Sequence, residues 1–566
     1  MLRQRWPGPG ATRIPQLAAL GLIAALTAGL YLPFLHNPLV FDDWTFFSGR
    51  QFAYYATHPL GLWPRLPGYF SLALTQVLSG QIAVHRVVSL AFHMAVAAAL
   101  YGLIAELLRV ARRSGATSSP APGEWPAAVC ALAGAGAFAL HPAAVYGAAY
   151  LLQRSIVIAT LFALLSLLLF VRAVAHDRYA YTAAAAAFYS LAVLSKEHSI
   201  LLPALALPLA WLASADARRS IRHLAVYLLA CAPAAVLVVL MTRQLIGQAY
   251  EPHVADIGAQ LEATVGRAAT ELTWRLSAVT QAGLFFKYLA SWLWPDPAAM
   301  SIDWRVDFFA TASAPWRVLK SAAFVACAGL ALLLVRRRGR AGLIGFGVLY
   351  AWVLFLVELS VSRFQEPYVL YRSYLWAPGL AVALAAVLDG VRGRAALALF
   401  AAMVPILLYQ AHDRLTTFAS PLRLWEDAAA KLPERPVPWG SRVLYNLGRE
   451  YLYAEQPERA IAAAERCLAI YPGTFQCVYA RAAIHFQLGQ YDRALAVFEQ
   501  AAAIEPKNGI VQHRIGLALE KLDRPEAAKQ RYRSASALGY RGGDLELTRF
   551  GETGTTRAES GRKAAP

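Results

Sequence analysis

The sequence predicts an all-α protein: a polytopic transmembrane helical bundle of about eleven spans, followed by a C-terminal helical solenoid. Three observations predict this class. Of the 566 residues, 58% are hydrophobic and only 16% are charged, below the roughly 25% charged residues of soluble domains. Apolar stretches near the roughly 20 residues that cross a bilayer recur up to residue 411 and then stop. Beyond them the chain carries a 34-residue repeat, a period typical of helical solenoids.

The predicted spans are apolar segments separated by loops that are alternately rich in arginine. They cover residues 16–35, 82–108, 126–142, 152–172, 180–195, 199–213, 223–242, 317–335, 341–360, 373–390 and 395–411. Arginine marks cytoplasmic loops, so the N-terminus is expected inside, and the chain beyond the last span outside. Two long loops, 36–81 and 243–316, are then outer loops. Residues 278–294 are apolar but would break this alternation as a span, so they predict an interfacial or re-entrant helix.

The first apolar segment and the net charge each have two interpretations. The segment lacks a convincing small-residue cleavage site, so it is read as a retained span rather than a signal peptide. A net charge of +18 would suggest nucleic acid for a soluble protein. Here the basic residues cluster in short loops where they set orientation, so no nucleic-acid partner is expected.

Five cysteines are present without CxxC or CxxH spacing, which argues against a structural zinc site. Cys467 and Cys477 lie in the tail and could pair if that tail is in an oxidising compartment.

The tail repeats with small residues at matching positions, which let two antiparallel helices approach closely. The matching positions are Ala460, Ala494 and Ala528, and Gly448, Ala482 and Gly516. This is the tetratricopeptide pattern. The predicted organisation is a membrane domain at 1–411, a linker at 412–440, three tetratricopeptide repeats at 441–542 and a disordered tail at 543–566. The repeats would offer a concave surface to a protein or peptide.

Asp42 and Asp43 follow the first span directly and are the first candidate site. A carboxylate in the hydrocarbon core costs several kcal/mol, so the pair marks the membrane boundary. One interpretation is a helix cap, since aspartate at a helix start accepts backbone N–H bonds. The other is a general base that takes the proton of an acceptor hydroxyl in a glycosyl transfer. Adjacent residues point in different directions, so one acid would act on the acceptor while the other would orient the acceptor or bind a cation.

Basic residues in outer loops or near outer span ends are the second candidate site, because cations there oppose the orientation signal. They are Arg65, Arg154, Lys196 and Arg372. A lipid phosphate or pyrophosphate leaving group would explain them. Alternatives remain: Arg65 can be a snorkelling interfacial arginine, and Lys196 can form a structural ion pair with Glu197. His141 ends the third span, where it can cap the helix or contact a phosphate.

The chain has no GxxxxGK[ST] motif for nucleotide hydrolysis and no HExxH zinc motif. No cofactor is predicted. A divalent metal is left open, because one acid pair does not make a divalent-cation site.

The motifs, taken in order, resemble a known family. They are Asp42-Asp43, Trp63-Pro64-Arg65-Leu66, His85 with His93, His141-Pro142 with Arg154, Lys196-Glu197, Ser301-Ile302-Asp303-Trp304 and Arg372-Ser373-Tyr374-Leu375. With the repeat tail, this order resembles the transmembrane and tetratricopeptide repeat-containing proteins and their bacterial relatives. These belong to the GT-C glycosyltransferase superfamily, which includes the protein O-mannosyltransferases. The resemblance covers almost the whole chain, although each motif is short.

The resemblance implies inverting transfer of a sugar from a polyprenyl-phosphate donor to a protein serine or threonine or to an envelope glycan. It implies an active site at the periplasmic face of a bacterial inner membrane, with the repeats in the periplasm. The family's first-loop acid corresponds to Asp42 or Asp43. Its phosphate-binding positions correspond to Arg65, His141, Arg154, Lys196 with Glu197, and Arg372. The chain departs from the family at His198 and in the residues after Arg372, which leaves the substrate open.

Two other functions are considered. A non-catalytic membrane scaffold could dock protein partners through its repeats, with the acid pair acting only as a cap. A transporter would be indicated by inverted repeats and broken helices, but no symmetry between the halves is visible in the sequence.

Overall fold

The computed structural model describes residues 13–48, 51–58, 61, 64–114, 127–246, 273–306, 314–364, 366–391 and 393–552. These residues form α-helices and short 3-10 helices, and the only β pairing among them is an isolated bridge between Trp304 and Tyr368. The predicted all-α class is therefore confirmed. The chain divides into two compact units, Met1–Pro421 and Leu422–Pro566.

The first unit holds seventeen of the helices in the described part of the chain. They are α1 Arg13–Tyr31, α2 Asp43–Ser48, α3 Gln51–Thr57, α4 Leu66–Leu78, α5 Ile82–Ser114, α6 Ala127–Ala139, α7 Pro142–Ala148, α8 Arg154–His176, α9 Tyr179–Ser195, α10 Ala206–Ala213, α11 Ala217–Thr242, α12 Thr273–Leu293, α13 Ala314–Arg336, α14 Gly339–Phe355, α15 Leu370–Ser373, α16 Pro378–Leu388 and α17 Gly393–Thr417.

Among the described residues of this unit, six helical segments are long and apolar enough to cross a membrane. They are Leu17–Phe34, Ile82–Arg113, Leu151–His176, Ala217–Leu245, Pro315–Arg336 and Gly339–Ser360. This indicates a multi-pass membrane protein. The predicted count of eleven spans is not confirmed and stays a prediction, because several predicted spans are short apolar helices, such as α9 and α16.

Two predicted spans are broken rather than continuous. The predicted span 126–142 contains α6, which ends at Ala139; after Leu140 and His141, α7 begins at Pro142, and the two helices are bent by 64°. Pro142 lacks an N–H and occupies the first position of α7, where proline is tolerated. Residues 199–213 lie partly in a 3-10 helix, Glu197–Leu205, before α10 begins. Both breaks place polar residues at helix ends, where their backbone groups need partners.

Glycine lets two helices of the bundle cross closely. A Cβ atom on Gly347 of α14 would lie 2.3 Å from the carbonyl oxygen of Gly379 in α16. Small residues at such crossings let backbones approach, as is common between membrane helices.

The predicted outer loop 36–81 is largely helical. It contains α2, α3 and α4, whose contacts centre on buried Phe46, Phe52 and Leu72. Parts of the second predicted outer loop, 247–272 and 307–313, lie outside the described residues, as does Trp63. The segment read as interfacial or re-entrant belongs to α12, in which Phe285 and Tyr288 are buried.

The second unit is a stack of helix pairs. Its helices are α18 Pro421–Ala430, α19 Gly440–Tyr453, α20 Pro457–Ile470, α21 Phe475–Gln487, α22 Tyr491–Ile504, α23 Gly509–Lys521, α24 Pro525–Ala537 and α25 Arg541–Arg549. The three repeat alanines, Ala460, Ala494 and Ala528, are fully buried. Cys467, at the end of α20, forms a disulfide with Cys477 at the start of α21.

Two parts of the predicted organisation differ from the structure. The segment 412–440 is not an extended linker, because α17 continues to Thr417 and α18 follows. The interpretation of 543–566 as disordered is wrong at its start, where α25 covers Arg541–Arg549. Leu547 is buried against the last repeat, and the Ser536 hydroxyl donates to Asp544, which explains this order. Residues 553–566 lie outside the described residues.

Candidate active site

The two adjacent acids occupy different environments. Asp43 is fully buried, whereas Asp42 is exposed. Asp43 Oδ1 accepts a 2.8 Å hydrogen bond from the Leu152 N–H, and Oδ2 accepts one of 3.4 Å from the Val40 N–H. Burial raises the pKa of Asp43 to about 7, against the opposing effects of the Leu152 N–H and the Arg86 charge. Asp43 thus joins the acid turn, residues 40–43, to the segment before α8, whereas the side chain of Asp42 is exposed.

Arg86 supports this turn from helix α5. Its guanidinium donates to the carbonyl oxygens of Asn37 at 2.9 Å, Pro38 at 2.6 Å and Ala149 at 2.7 Å. One guanidinium group therefore donates to backbone carbonyl oxygens on both segments next to Asp43, residues 37–38 and residue 149. Sequence analysis missed Arg86, because a single arginine near a span end resembles an orientation signal.

The backbone of Asp42 is fixed by a tyrosine from the other flanking segment. The Asp42 N–H donates to the hydroxyl oxygen of Tyr150 at 3.2 Å, and Tyr150 is 1% exposed. The preceding residue, Phe41, has a φ of 51°, which is uncommon for a residue with a bulky side chain. Such strain tends to occur at functional sites.

Arg65, which directly precedes α4, and Glu197, which follows the end of α9, form an ion pair with two contacts. Arg65 Nε lies 3.1 Å from Glu197 Oε2, and Nη2 lies 2.6 Å from Oε1. Nη1 of Arg65 donates to the Tyr69 hydroxyl at 3.2 Å. Burial would raise the pKa of Glu197, but the charges of Arg65 and Lys196 hold it well below its usual range. The partner of Glu197 is therefore Arg65, not only the neighbouring Lys196.

The side chain of Lys196 is buried, and its ammonium group makes no hydrogen bond to any residue that the structure describes. It is 4% exposed, and its charged neighbours are Arg65, Glu197, Arg372 and Arg363. The pKa of Lys196 is lowered to about 7, mainly by burial; the three arginine charges act in the same direction, and Glu197 opposes them. An ammonium group in this position needs an anion that the neighbouring side chains supply only in part.

Glu358 organises the arginines next to Lys196. Its Oε2 lies 3.2 Å from Arg372 Nη1 and 3.3 Å from Arg363 Nε, and its Oε1 lies 3.0 Å from His198 Nε2. Arg372 also contacts the Glu366 carboxylate at 3.3 Å and donates to the Glu366 carbonyl oxygen at 3.0 Å. All but Glu366 are buried.

These residues form what we call the cation cluster: Arg65, Lys196, Arg363 and Arg372, with the carboxylates of Glu197, Glu358 and Glu366. The four cations named here outnumber the three carboxylates, and the Lys196 ammonium group makes no hydrogen bond within the described residues. A site of this composition favours an anion such as phosphate.

Two tyrosines connect the cation cluster to the acid turn. The Tyr371 hydroxyl donates to the Glu366 carboxylate at 3.3 Å, and the Tyr371 ring packs edge-on against Tyr150 at 6.0 Å. Burial raises the pKa of Tyr150 well above its ordinary value, and the charges of Asp42, Asp43 and Glu366 raise it further. A series of contacts therefore runs from the backbone of Asp42 through Tyr150 and Tyr371 to Glu366 of the cation cluster.

Two of the predicted phosphate-binding residues make other contacts. Arg154 is buried and donates to the Ser89 hydroxyl at 3.0 Å, the Thr75 hydroxyl at 3.0 Å and the His85 carbonyl oxygen at 2.6 Å. It thereby joins α4, α5 and α8. His141 Nδ1 accepts the Ala143 N–H as a helix cap, and its ring stacks on Trp292 at 4.3 Å. A phosphate role for Arg154 and His141 stays a prediction.

His93, which the motif comparison included, has a structural role. Its Nδ1 lies 2.6 Å from the Tyr374 hydroxyl, and its Nε2 lies 3.0 Å from the Ala139 carbonyl oxygen.

Among the described residues, no group of three or more His, Cys, Asp or Glu side chains could hold a metal ion.

Sequence analysis also missed Tyr150, Glu358, Arg363 and Glu366. Glu358 and Arg363 could have been found from the sequence. Each is a charged residue at the end of an apolar stretch, where burying a charge costs free energy unless an opposite charge lies nearby. Tyr150 carried none, because its role depends on contacts with residues distant in the chain.

The repeat unit has its own candidate binding surface. A cavity of about 530 Å³ opens between the first helices of the repeats, and its larger side chains are aromatic or basic. They include Tyr445, Arg449, Tyr453, Tyr479, Phe486 and Arg514.

Comparisons with known proteins agree with the repeat assignment. Residues 441–474 and 475–508 each match the tetratricopeptide repeat family. The chain matches no curated protein. Its repeat region is similar to structures titled MamA AMB-1 and MamA MSR-1. The first is 22% identical over 25% of this chain and 78% of that chain (TM-score 0.18), and the second is 19% identical over 26% and 90% (TM-score 0.20).

A broader similarity covers both units. It is to the Archaeoglobus fulgidus oligosaccharyltransferase tethered with an acceptor peptide, with 14% identity over 92% of this chain and 72% of that chain. The TM-score is 0.39. At such scores, a shared activity has to be argued from the site itself.

Proposed function

We propose that this protein is an inverting membrane glycosyltransferase of the GT-C type. It would move a sugar from a polyprenyl-phosphate donor to a protein hydroxyl or an envelope glycan at the outer membrane face. The observation that supports this most is the series of contacts that links Asp42, whose side chain is exposed, to the cation cluster. These contacts run through Tyr150 and Tyr371.

In this reaction Asp42 is the general base. Its carboxylate takes the proton of the acceptor hydroxyl as the hydroxyl oxygen attacks the anomeric carbon of the sugar. The bond between that carbon and the phosphate oxygen breaks, and the phosphate leaves with the bonding electrons. Attack from the face opposite the leaving group inverts the anomeric centre. Asp43, held by two backbone amides, keeps the turn in place.

The cation cluster receives the leaving phosphate. Lys196 is the first residue to contact it, because its ammonium group makes no hydrogen bond within the described residues. Arg372 and Arg363 are held by Glu358 and add positive charge. Such prearranged charge stabilises a developing anion better than water does.

The site belongs at the outer face of a bacterial inner membrane, with the repeats in the periplasm. Arginine in alternate loops sets this orientation. The disulfide between Cys467 and Cys477 supports it, because disulfides persist in oxidising compartments. The repeats would hold the acceptor protein through the cavity near Tyr445 and Arg514.

The test uses the full chain in lipid nanodiscs with a panel of polyprenyl-phosphate hexoses, each radiolabelled in the sugar, and periplasmic protein extract as acceptor. We expect one donor to label protein or glycan, and Asp42→Asn to lose at least about 100-fold of this activity while still binding the donor. A protein that labels nothing with any donor, or an Asp42→Asn variant with full activity, would refute the proposal.

The matched control is Asp216→Asn, since Asp216 caps α11 on a predicted cytoplasmic loop. It should retain the wild-type rate.

A further inference from the structure

Tyr150 lies between the two halves of the site. Its hydroxyl oxygen accepts the Asp42 N–H at 3.2 Å, and its side chain is almost completely buried. The Asp42 side chain is exposed, and the backbone of the turn sets where that side chain begins. The Tyr150 hydrogen bond acts on that backbone directly.

The Tyr150 ring also packs against the strained residue of the turn. Phe41 has a φ of 51°, and its ring meets the Tyr150 ring edge-on at 6.2 Å. A left-handed conformation at a bulky residue is strained and persists only when neighbouring contacts fix it. Tyr150 supplies two such contacts, one to the Phe41 ring and one to the Asp42 amide.

The Tyr150 ring also contacts Tyr371, the residue next to Arg372 of the cation cluster. Tyr371 packs against the Tyr150 ring at 6.0 Å, and its hydroxyl donates to Glu366, which contacts Arg372. The next residues along the chain strengthen the anchoring, since the Leu152 N–H donates to Asp43. One buried residue therefore contacts the acid turn and the helix that carries Arg372.

We propose that Tyr150 is a positioning residue that sets the location of the Asp42 carboxylate relative to Arg372. This inference rests on the proposed function, because it assigns Tyr150 a role in that reaction. Tyr150 does not itself touch the reacting atoms in this account. Its hydroxyl and ring keep the base and the phosphate-binding arginine at a constant separation. Displacing a catalytic group by about 1 Å can cost about 100-fold in rate.

Tyr150→Phe is the sharpest test, because it keeps the ring and removes the hydroxyl. The hydroxyl makes a single hydrogen bond to the part of the chain that the structure describes. We expect kcat to fall about 10- to 100-fold, while the KM and Kd for the polyprenyl-phosphate donor stay within about twofold. The control is Tyr189→Phe, which also removes a buried hydroxyl with one backbone partner, the Ile200 carbonyl oxygen at 3.1 Å. It should leave kcat unchanged.

A second variant tests the ring contact without changing Tyr150. Phe41→Gly keeps the left-handed turn accessible, since glycine adopts positive φ freely, and removes the ring that packs on Tyr150. It should also lower kcat with little change in donor affinity. If Tyr150→Phe fails to fold, Phe41→Gly decides the matter alone.

The outcomes separate this inference from the proposed function. Wild-type protein that transfers no sugar from any donor overturns the proposed function and this inference with it. Active wild-type protein with an inactive Asp42→Asn variant, but with normal kcat in Tyr150→Phe and Phe41→Gly, overturns only the positioning role. A rise in donor KM at unchanged kcat also overturns it, because Tyr150 would then belong to donor binding.

Discussion

Replacing Lys196 with methionine should weaken donor binding and stabilise the protein at the same time. Methionine keeps most of the length of the side chain and removes the ammonium group. Lys196 is 4% exposed, and burial lowers its pKa from 10.5 to about 7. At about 1.4 kcal/mol for each pKa unit, the charged form costs the folded protein about 5 kcal/mol at most.

The pH dependence of this cost has a definite sign. Below pH 7, Lys196 carries its charge in the folded and the unfolded state, so the cost is complete. Between about pH 7 and 10.5 the folded protein gives up the proton first, and the cost decreases; above 10.5 it is absent. Lys196→Met should therefore raise the unfolding temperature clearly at pH 6.5 and by less than half as much at pH 9.

Donor binding should change in the opposite direction. A hydrogen bond from a charged group contributes about 1.5–3 kcal/mol, so losing it at the phosphate should raise the Kd about 10- to 150-fold. Both quantities can be measured on the full chain in detergent, by scanning fluorimetry and by binding of a short-chain polyprenyl phosphate. Lys287→Met is the binding control, because Lys287 packs on the Trp304 ring at 3.1 Å. A lower unfolding temperature at pH 6.5, or an unchanged Kd, would refute the reasoning.

Three further predictions concern stability and redox state. Burial raises the pKa of Asp43 from 3.8 to about 7. The contribution of Asp43 to the free energy of unfolding should therefore fall as pH rises from 4 to 7, by up to about 4 kcal/mol. Asp43→Asn should show a flatter profile of unfolding temperature against pH. Glu358→Gln should lower the free energy of chemical unfolding by about 3–5 kcal/mol, because the buried side chains of Arg363 and Arg372 both lose their contact with the Glu358 carboxylate. A stability equal to wild type would contradict the role of Glu358 in the cation cluster. Mass spectrometry after alkylation should find three modified cysteines before reduction and five after it; five before reduction would contradict the pairing of Cys467 with Cys477.

The repeat unit could be predicted from the sequence because its contacts are local and periodic. Small residues 34 positions apart identify the packing of Ala460, Ala494 and Ala528, and each is fully buried. The α25 helix was missed, because its glycines and charged residues resemble a polar tail. Its order depends on Leu547 and on the bond between Ser536 and Asp544.

The candidate site could be predicted only in part. The sequence indicated Asp42, Asp43, Arg65, Lys196 and Arg372, since each is a charge at the end of an apolar segment. It could not separate Asp42 from Asp43, because the partner that buries Asp43 lies 109 residues along the chain.

Distant contacts also explain why one arginine looked equivalent to the others. Arg154 has the same sequence context as the arginines of the cation cluster. Its hydrogen bonds to Ser89, Thr75 and His85, which join three helices, become visible only once the chain is folded.

The most direct test of the central claim is a cryo-electron microscopy map of the full chain in nanodiscs with a polyprenyl-phosphate sugar bound. The account predicts phosphate density within hydrogen-bond distance of the Lys196 Nζ atom and next to Arg372, with the sugar on the side of Asp42. Phosphate density elsewhere, with the cation cluster empty and Asp42 far from the sugar, would contradict it.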